Sequence, residues 1–294
     1  MFDETETMMT VRRILNQSVQ RLEEHGIESA RLVAELLIAH ATGRKRGELV
    51  RLADVQLTDS EEDRIESHLI RALANEPVQY IVGSTEFMGL EFHVDRRVLI
   101  PRPETEILVE KAIDIGQKNP AMRILDIGTG SGNIAISLAK FLPKIAIDSV
   151  DISAEALQCA LDNARVHGVE QRIRFVETDL LSDNAVGKLT PKYDMIISNP
   201  PYISEEEYGE LPANVRAYEP AQALSDSADG LTFYTRISDL SKLLLKSGGW
   251  LFVEVGYNQA QEVAGIFKQN NRLSHIEVFN DYNGVQRIVA ARRK

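Results

Sequence analysis

Asn199-Pro200-Pro201-Tyr202 follows directly on the apolar run Tyr193 to Ser198. Neither proline can donate to a β-ladder, so the run reads as a buried strand that stops abruptly. The first proline also biases Asn199 toward an extended backbone. An asparagine amide is thereby held at the carboxyl edge of a sheet, beside a main-chain carbonyl and an aromatic face. That set of groups suits gripping a flat NH2 group. Taken alone, the four residues also read as a strand-terminating turn.

A second group of residues lies upstream. Asp126-Ile127-Gly128-Thr129-Gly130-Ser131-Gly132 leads from a predicted strand, 123–127, into a predicted helix, 133–141. Glycines let a backbone turn tightly and approach a ligand without a Cβ in the way. The spacing is G-x-G-x-G, not the dinucleotide G-x-G-x-x-G, and such a loop alone serves tight packing as readily as binding. The next predicted strand ends at Asp151, ~20 residues beyond the loop, where an acid can accept from ribose hydroxyls. Asp148 is the alternative, but it falls inside the strand. As pure structure, Asp151 competes with Ser153 to cap the following helix. Thr178-Asp179-Leu180 follows the third strand and is placed to border an adenine ring.

These residues need a scaffold, and the hydrophobic pattern supplies one. The first ~75 residues carry only helical spacing: Val11, Ile14, Leu15, Val19 and Leu22, then Ala30, Val33, Ala34, Leu37, Ile38 and Ala41, ended by Gly43. Thr58 and Glu61 form a capping-box pattern ahead of Ile65, Leu69, Ala72 and Leu73. Short helices of this kind are marginal alone and are expected to pack as a bundle over 1–76. Between 77 and 103, Tyr80-Ile81-Val82, Glu86-Phe87-Met88 and Glu91-Phe92-His93-Val94 predict short strands around Gly89, a hairpin linking two domains. From 104 to 294 strands and helices alternate, which builds a parallel sheet with helices on both faces. The last two strands, 274–279 and 285–291, are expected as an antiparallel hairpin at one edge.

Composition narrows the field. In 294 residues, 44 acids face 33 bases, a net charge of −11 that argues against a nucleic acid gripped through its phosphates. Cys159 is the single cysteine, so no internal disulfide forms and a reducing compartment is expected. The six histidines fall at no metal-ligand spacing, and no metal site is expected. The start, Met1 to Glu6, lacks the pattern of a secretion signal, and no apolar run approaches the ~20 residues of a membrane span. A cytoplasmic monomer with no membrane association is expected.

Glycine loop, acid after the second strand and Asn-Pro-Pro-Tyr after the fourth occur in the order of class I S-adenosylmethionine methyltransferases acting on amide or exocyclic amino nitrogens. Pro77-Val78-Gln79-Tyr80-Ile81, Phe87-Met88-Gly89-Leu90-Glu91-Phe92, Ile100-Pro101-Arg102-Pro103-Glu104-Thr105-Glu106, Asp229-Gly230-Leu231 and Glu254-Val255-Gly256-Tyr257-Asn258-Gln259 narrow this. Over nearly its whole length the chain resembles the PrmC/HemK family of release factor glutamine methyltransferases. The resemblance implies a Rossmann-like, mostly parallel seven-stranded sheet behind an N-terminal helical domain that selects the substrate.

It further implies that Gly128, Thr129, Gly130, Ser131, Gly132, Asp151, Asp179, Leu180 and Asn199 hold S-adenosylmethionine, the product being S-adenosylhomocysteine. Asn199, Pro200, Pro201 and Tyr202 would hold the glutamine of a Gly-Gly-Gln loop in a release factor, with Asn199, Pro200 and Tyr202 catalytic. Some members carry Trp where this chain has Leu180, whose side chain can still pack on a ring. A ribosomal-protein glutamine and a DNA adenine are the alternative targets of the same tetrapeptide. The second requires base flipping and a basic cleft. A cofactor-binding adaptor without turnover is a third alternative, against which the intact amide clamp argues.

Overall fold

The computed structural model describes residues 9–119, 121–189 and 192–294, so the hexapeptide Met1 to Glu6 lies outside the described residues. Two compact units emerge: one runs to Ser84 and takes in Ala213–Tyr218, and the other comprises Thr85–Pro212 with Glu219–Lys294.

In chain order the elements are α1 Val11–Glu24, α2 Ala30–Thr42, α3 Asp59–Leu73, α4 Val78–Val82, β1 Ser84–Phe87, β2 Leu90–His93, α5 Pro103–Lys118, β3 Arg123–Ile127, α6 Asn133–Phe141, β4 Ala146–Asp151 and α7 Ala154–Val166. Then follow β5 Ile173–Glu177, α8 Ala185–Lys188, β6 Tyr193–Ser198, α9 Glu205–Glu210, α10 Ala213–Tyr218, α11 Ala221–Leu224, α12 Thr232–Leu244, β7 Leu245–Glu254, α13 Ala260–Gln269, β8 Leu273–Asn280 and β9 Gln286–Arg293.

The first unit buries the helical stripes expected of it, with Val11, Leu22, Leu37, Ile38, Ile65 and Leu69 at its centre. Its ends are chemically marked. Thr10 caps α1, Thr58 and Glu61 form a reciprocal capping box on α3, and Gly43 ends α2 in the left-handed region. Tyr80-Ile81-Val82 is not a strand. Pro77 leads into a single helical turn, closed by Gly83, that buries Tyr80 and Ile81. β-Branched and aromatic content suggested a ladder here, but five residues between Pro and Gly leave room for only one turn, and packing decides its form. β1 and β2 do form the small hairpin. Met88 and Gly89 at its tip both have positive φ, as a two-residue turn of the right twist demands, and Glu106 accepts from Met88 N–H.

The second unit is built on a seven-stranded sheet of order β5-β4-β3-β6-β7-β9-β8. β5, β4, β3, β6 and β7 are parallel, while β9 runs antiparallel to both β7 and β8. Helices cover both faces and create two apolar layers, one including Leu108, Ile124, Ile136 and Met195, the other Leu125, Ile196, Tyr234 and Phe267. β3 connects outward to β4 and β5, and the chain then returns to β6 on the other side of β3. Ligand crevices in open α/β sheets form at this switch point, beyond the carboxyl ends of the strands. Ile127 pairs with Ser198 there, and Ser198 Oγ donates to Ile127 O at 2.8 Å. The residues after β3 and after β6, which are the glycine loop and Asn199, therefore leave the sheet side by side. Among the described residues no helix is long and apolar enough to cross a membrane.

Candidate active site

The glycine loop is held from beneath by main-chain bonds: Gly128 and Thr129 N–H both donate to Val150 O. Gly130, with φ of +54°, turns its N–H onto Asp151 Oδ2 at 2.9 Å. Asp151 Oδ1 accepts from Ser153 N–H at 3.0 Å, while the Ser153 hydroxyl caps α7 through Ala156 N–H. Ser153 is thus the helix cap, and Asp151 is left to join the loop to the start of α7. Burial raises the Asp151 pKa above the ordinary carboxylate range despite these donors. Gly132 begins α6, and a Cβ there would come within 2.8 Å of Ile136 Cδ1. Its smallness serves packing.

A cavity of about 320 Å³ opens beside these groups. Gly128, Gly130, Asp151, Asp179, Leu180, Asn199, Pro200 and Pro201 all line it. Leu180 is buried and offers an apolar wall, whereas Asp179 is exposed and accepts from Leu181 N–H. Thr129, Ser131, Gly132 and Tyr202 are absent from the lining. Thr129 Oγ1 is bonded to Ser149 Oγ, and Ser149 donates to Asp126 Oδ2 under the loop. Burial lifts Asp126 to about 7, and its Oδ1, like Ser131 Oγ, has no partner within the described residues. Asp148 lies elsewhere: Arg174 and the Tyr193 hydroxyl bind it, and they outweigh burial to hold its pKa down. It forms a cross-strand ion pair between β4 and β5.

At the other wall Asn199 is half-buried and Pro200 is buried. Asn199 Nδ2 donates to Thr105 Oγ1 at 3.1 Å. Tyr202 packs against the layer containing Tyr234, and its carbonyl accepts from Gln259 Nε2 at 2.8 Å. Arg102 and Glu219 pair at 2.6 Å, and Glu219 also accepts from Ile100 N–H, which straps the segment before α5 beside the cavity. Sequence reasoning left residues 203–224 without elements, yet α9 and α11 lie there, and Pro220, Gln222 and Ala223 complete the cavity wall. Their one-turn lengths carry no periodic signal. Cys159 is buried, and burial pushes its thiol up to about 11, so it stays a protonated packing residue. No group of three or more His, Cys, Asp or Glu among the described residues is arranged to hold a metal ion.

The fit to a nucleoside-bearing methyl donor is direct. Two glycines expose main chain without Cβ atoms, a carboxylate ends the second strand, and a leucine supplies an apolar wall. Comparison with known proteins agrees. Residues 13–83 match the PrmC N-terminal domain and residues 104–215 the methyltransferase small domain. A release factor glutamine methyltransferase from Fusobacterium nucleatum is 38% identical over 283 residues, 95% of this chain and 78% of the relative. One from Chlorobaculum tepidum is 39% identical over 289 residues, 96% and 97% of the two chains. A solved methyltransferase from Pyrococcus furiosus shares the fold, with a TM-score of 0.51 at 15% identity over 78% of this chain and 98% of that one.

Proposed function

The chain belongs to the release factor glutamine methyltransferase family, and we propose that it transfers a methyl group from S-adenosylmethionine to the side-chain nitrogen of a glutamine in a release factor. One observation carries the reading: the glycine loop, Asp151 and Asn199 meet at a single cavity where β3 and β6 part. In this account Gly128, Gly130, Asp151, Asp179 and Leu180 hold the donor. Thr129, Ser131 and Gly132 shape the loop from behind. The helical first unit selects the protein substrate, residues 77–103 join it to the second, and residues 104–294 carry the chemistry.

When bound, the donor supplies a methyl on a sulfonium whose departure leaves a neutral thioether. The burden on the protein is the nucleophile, because a carboxamide nitrogen is delocalised into its carbonyl. Asn199 Oδ1 and the Pro200 carbonyl each accept one N–H of the substrate amide. They fix its plane and favour the positive charge that its nitrogen gains in the transition state. Orientation alone can supply up to roughly 7–11 kcal/mol, so a strong base is not needed before transfer. The surplus proton then leaves to solvent. Tyr202 backs the clamp from the layer beneath. The substrate loop is Gly-Gly-Gln, the working form a cytoplasmic monomer, and neither nucleic acid nor membrane is a direct partner.

Incubation with methyl-labelled S-adenosylmethionine and peptide mass mapping across release factors, ribosomal proteins and DNA tests this. The label is expected on the Gly-Gly-Gln glutamine alone. Label on DNA, or on no release factor, contradicts the assignment.

A further inference from the structure

Resting on the amide-clamp reading above, we infer that Thr105 and Glu254 are positioning residues that set which end of the Asn199 amide faces the substrate. Register and motif bring the three together. Ser198 pairs with Val253 across β6 and β7, so Asn199 leaves the sheet beside Glu254. Thr105 lies in the first turn of α5, after Pro103 starts that helix. Its hydroxyl accepts from Asn199 Nδ2 at 3.1 Å and donates to Glu254 Oε2 at 2.6 Å. Both Thr105 and Glu254 are 1% exposed, and neither lines the cavity.

The direction of this chain follows from counting protons. A threonine hydroxyl has one proton to give and can accept two. An ionised Glu254 only accepts, so it claims that proton and leaves Thr105 Oγ1 able only to accept from Asn199. The carboxamide then has one stable orientation, Nδ2 toward Thr105 and Oδ1 toward the substrate. Without the carboxylate, Thr105 can donate to Asn199 Oδ1 instead. The amide would then turn over and present NH2 to the substrate's own NH2, two donors face to face.

The surroundings keep the amide's main chain from following such a turn. Gln259 Nε2 donates to Tyr202 O, and Gln259 Oε1 accepts from Gly256 N–H at 2.9 Å. At Gly230 a Cβ would come within 2.5 Å of Tyr202 O, so only glycine lets the end of the tetrapeptide lie so close. The segments Pro103 to Glu106, Asp229 to Leu231 and Glu254 to Gln259 thus converge on the tetrapeptide.

Burial is the main reason that Glu254 is raised to about 7. The Thr105 bond, Arg287 on β9 and Arg102 before α5 favour its ionised form, and Glu104 opposes it. Tyr202 and Tyr234 face it as neutral phenols. A protonated Glu254 can give its proton to Thr105 Oγ1 and release the threonine proton toward Asn199, so kcat should fall as pH drops through the Glu254 pKa.

The experiment compares the full chain with Thr105→Val, Thr105→Ser and Glu254→Gln on a release factor, with kcat–pH profiles, thermal melts and calorimetry of S-adenosylmethionine. Thr105→Val should lower kcat about 10- to 100-fold, from a buried amide hydrogen left unpartnered, while cofactor Kd stays within about twofold. Thr105→Ser should restore kcat to within about threefold, because the hydroxyl returns. Glu254→Gln should lower kcat and erase the acid-side inflection. Wild-type kcat in Thr105→Val, or a loss that Thr105→Ser fails to restore, overturns the inference while a working wild type keeps the functional reading. A wild type that labels no release factor overturns both.

Discussion

Replacing Asn199 by Ala should reduce kcat about 100- to 1,000-fold while the Kd for S-adenosylmethionine changes by no more than about threefold, since the lost group acts on the developing charge and not on the donor. The split follows from how Asn199 is held. Its main chain sits beside the glycine loop, where a Cβ on Gly128 would be 3.5 Å from Asn199 O, and alanine keeps that wall. What alanine removes is the Oδ1 acceptor and the Nδ2 donor that ties it to Thr105. Steady-state kinetics on a release factor, with calorimetry of the cofactor, separates the two quantities. A parallel loss of both would assign Asn199 to the cofactor instead of the amide.

Asp151→Ala should act in the opposite sense, weakening cofactor binding about 10- to 100-fold through the unpaired buried donors it leaves. Gly130 N–H and Ser153 N–H both end on this carboxylate, so the loop and the start of α7 lose their common anchor; on the proposed function the donor's ribose loses an acceptor with it. At saturating cofactor, kcat should stay within about fivefold of wild type, since Asn199 and its supports are untouched. Calorimetry gives the affinity directly. An unchanged Kd would mean that Asp151 only shapes the loop.

The parts of this molecule that sequence reveals are those whose causes are local. β5 and β6 are bounded by short apolar runs and abrupt polar or proline stops, and they occur at 173–177 and 193–198 as read. The caps at Thr58 and Gly43 are four-residue and one-residue events and are equally visible. Reading fails where local preference and tertiary demand diverge. Val78–Val82 has strand-forming residues but folds as a helical turn because packing overrides propensity.

The support beneath the clamp is invisible for a different reason. Thr105 and Glu254 are 149 residues apart, Asn199 and Thr105 are 94 apart, and Arg102 and Glu219 are 117 apart. Nothing in a local window marks them as partners. The family motifs flagged their segments, but only the pairing of β6 with β7 and the start of α5 explain why those residues matter. The family resemblance likewise implied a cofactor role for the whole run Gly128 to Gly132, which spacing alone left open between binding and packing. In the structure Gly128 and Gly130 line the cavity, and Thr129, Ser131 and Gly132 lie outside its lining.

The central proposition is that the Asn199 carboxamide oxygen and the Pro200 carbonyl together present a glutamine nitrogen to the transferable methyl. A crystal structure of the full chain with S-adenosylhomocysteine and a Gly-Gly-Gln release-factor fragment tests it most directly. The glutamine Nε2 is expected within about 3.2 Å of both oxygens, ordinary hydrogen-bond distance, with its lone-pair face toward the sulfur. A glutamine bonded elsewhere, or an Asn199 amide turned with Nδ2 toward the ligand, would contradict the account.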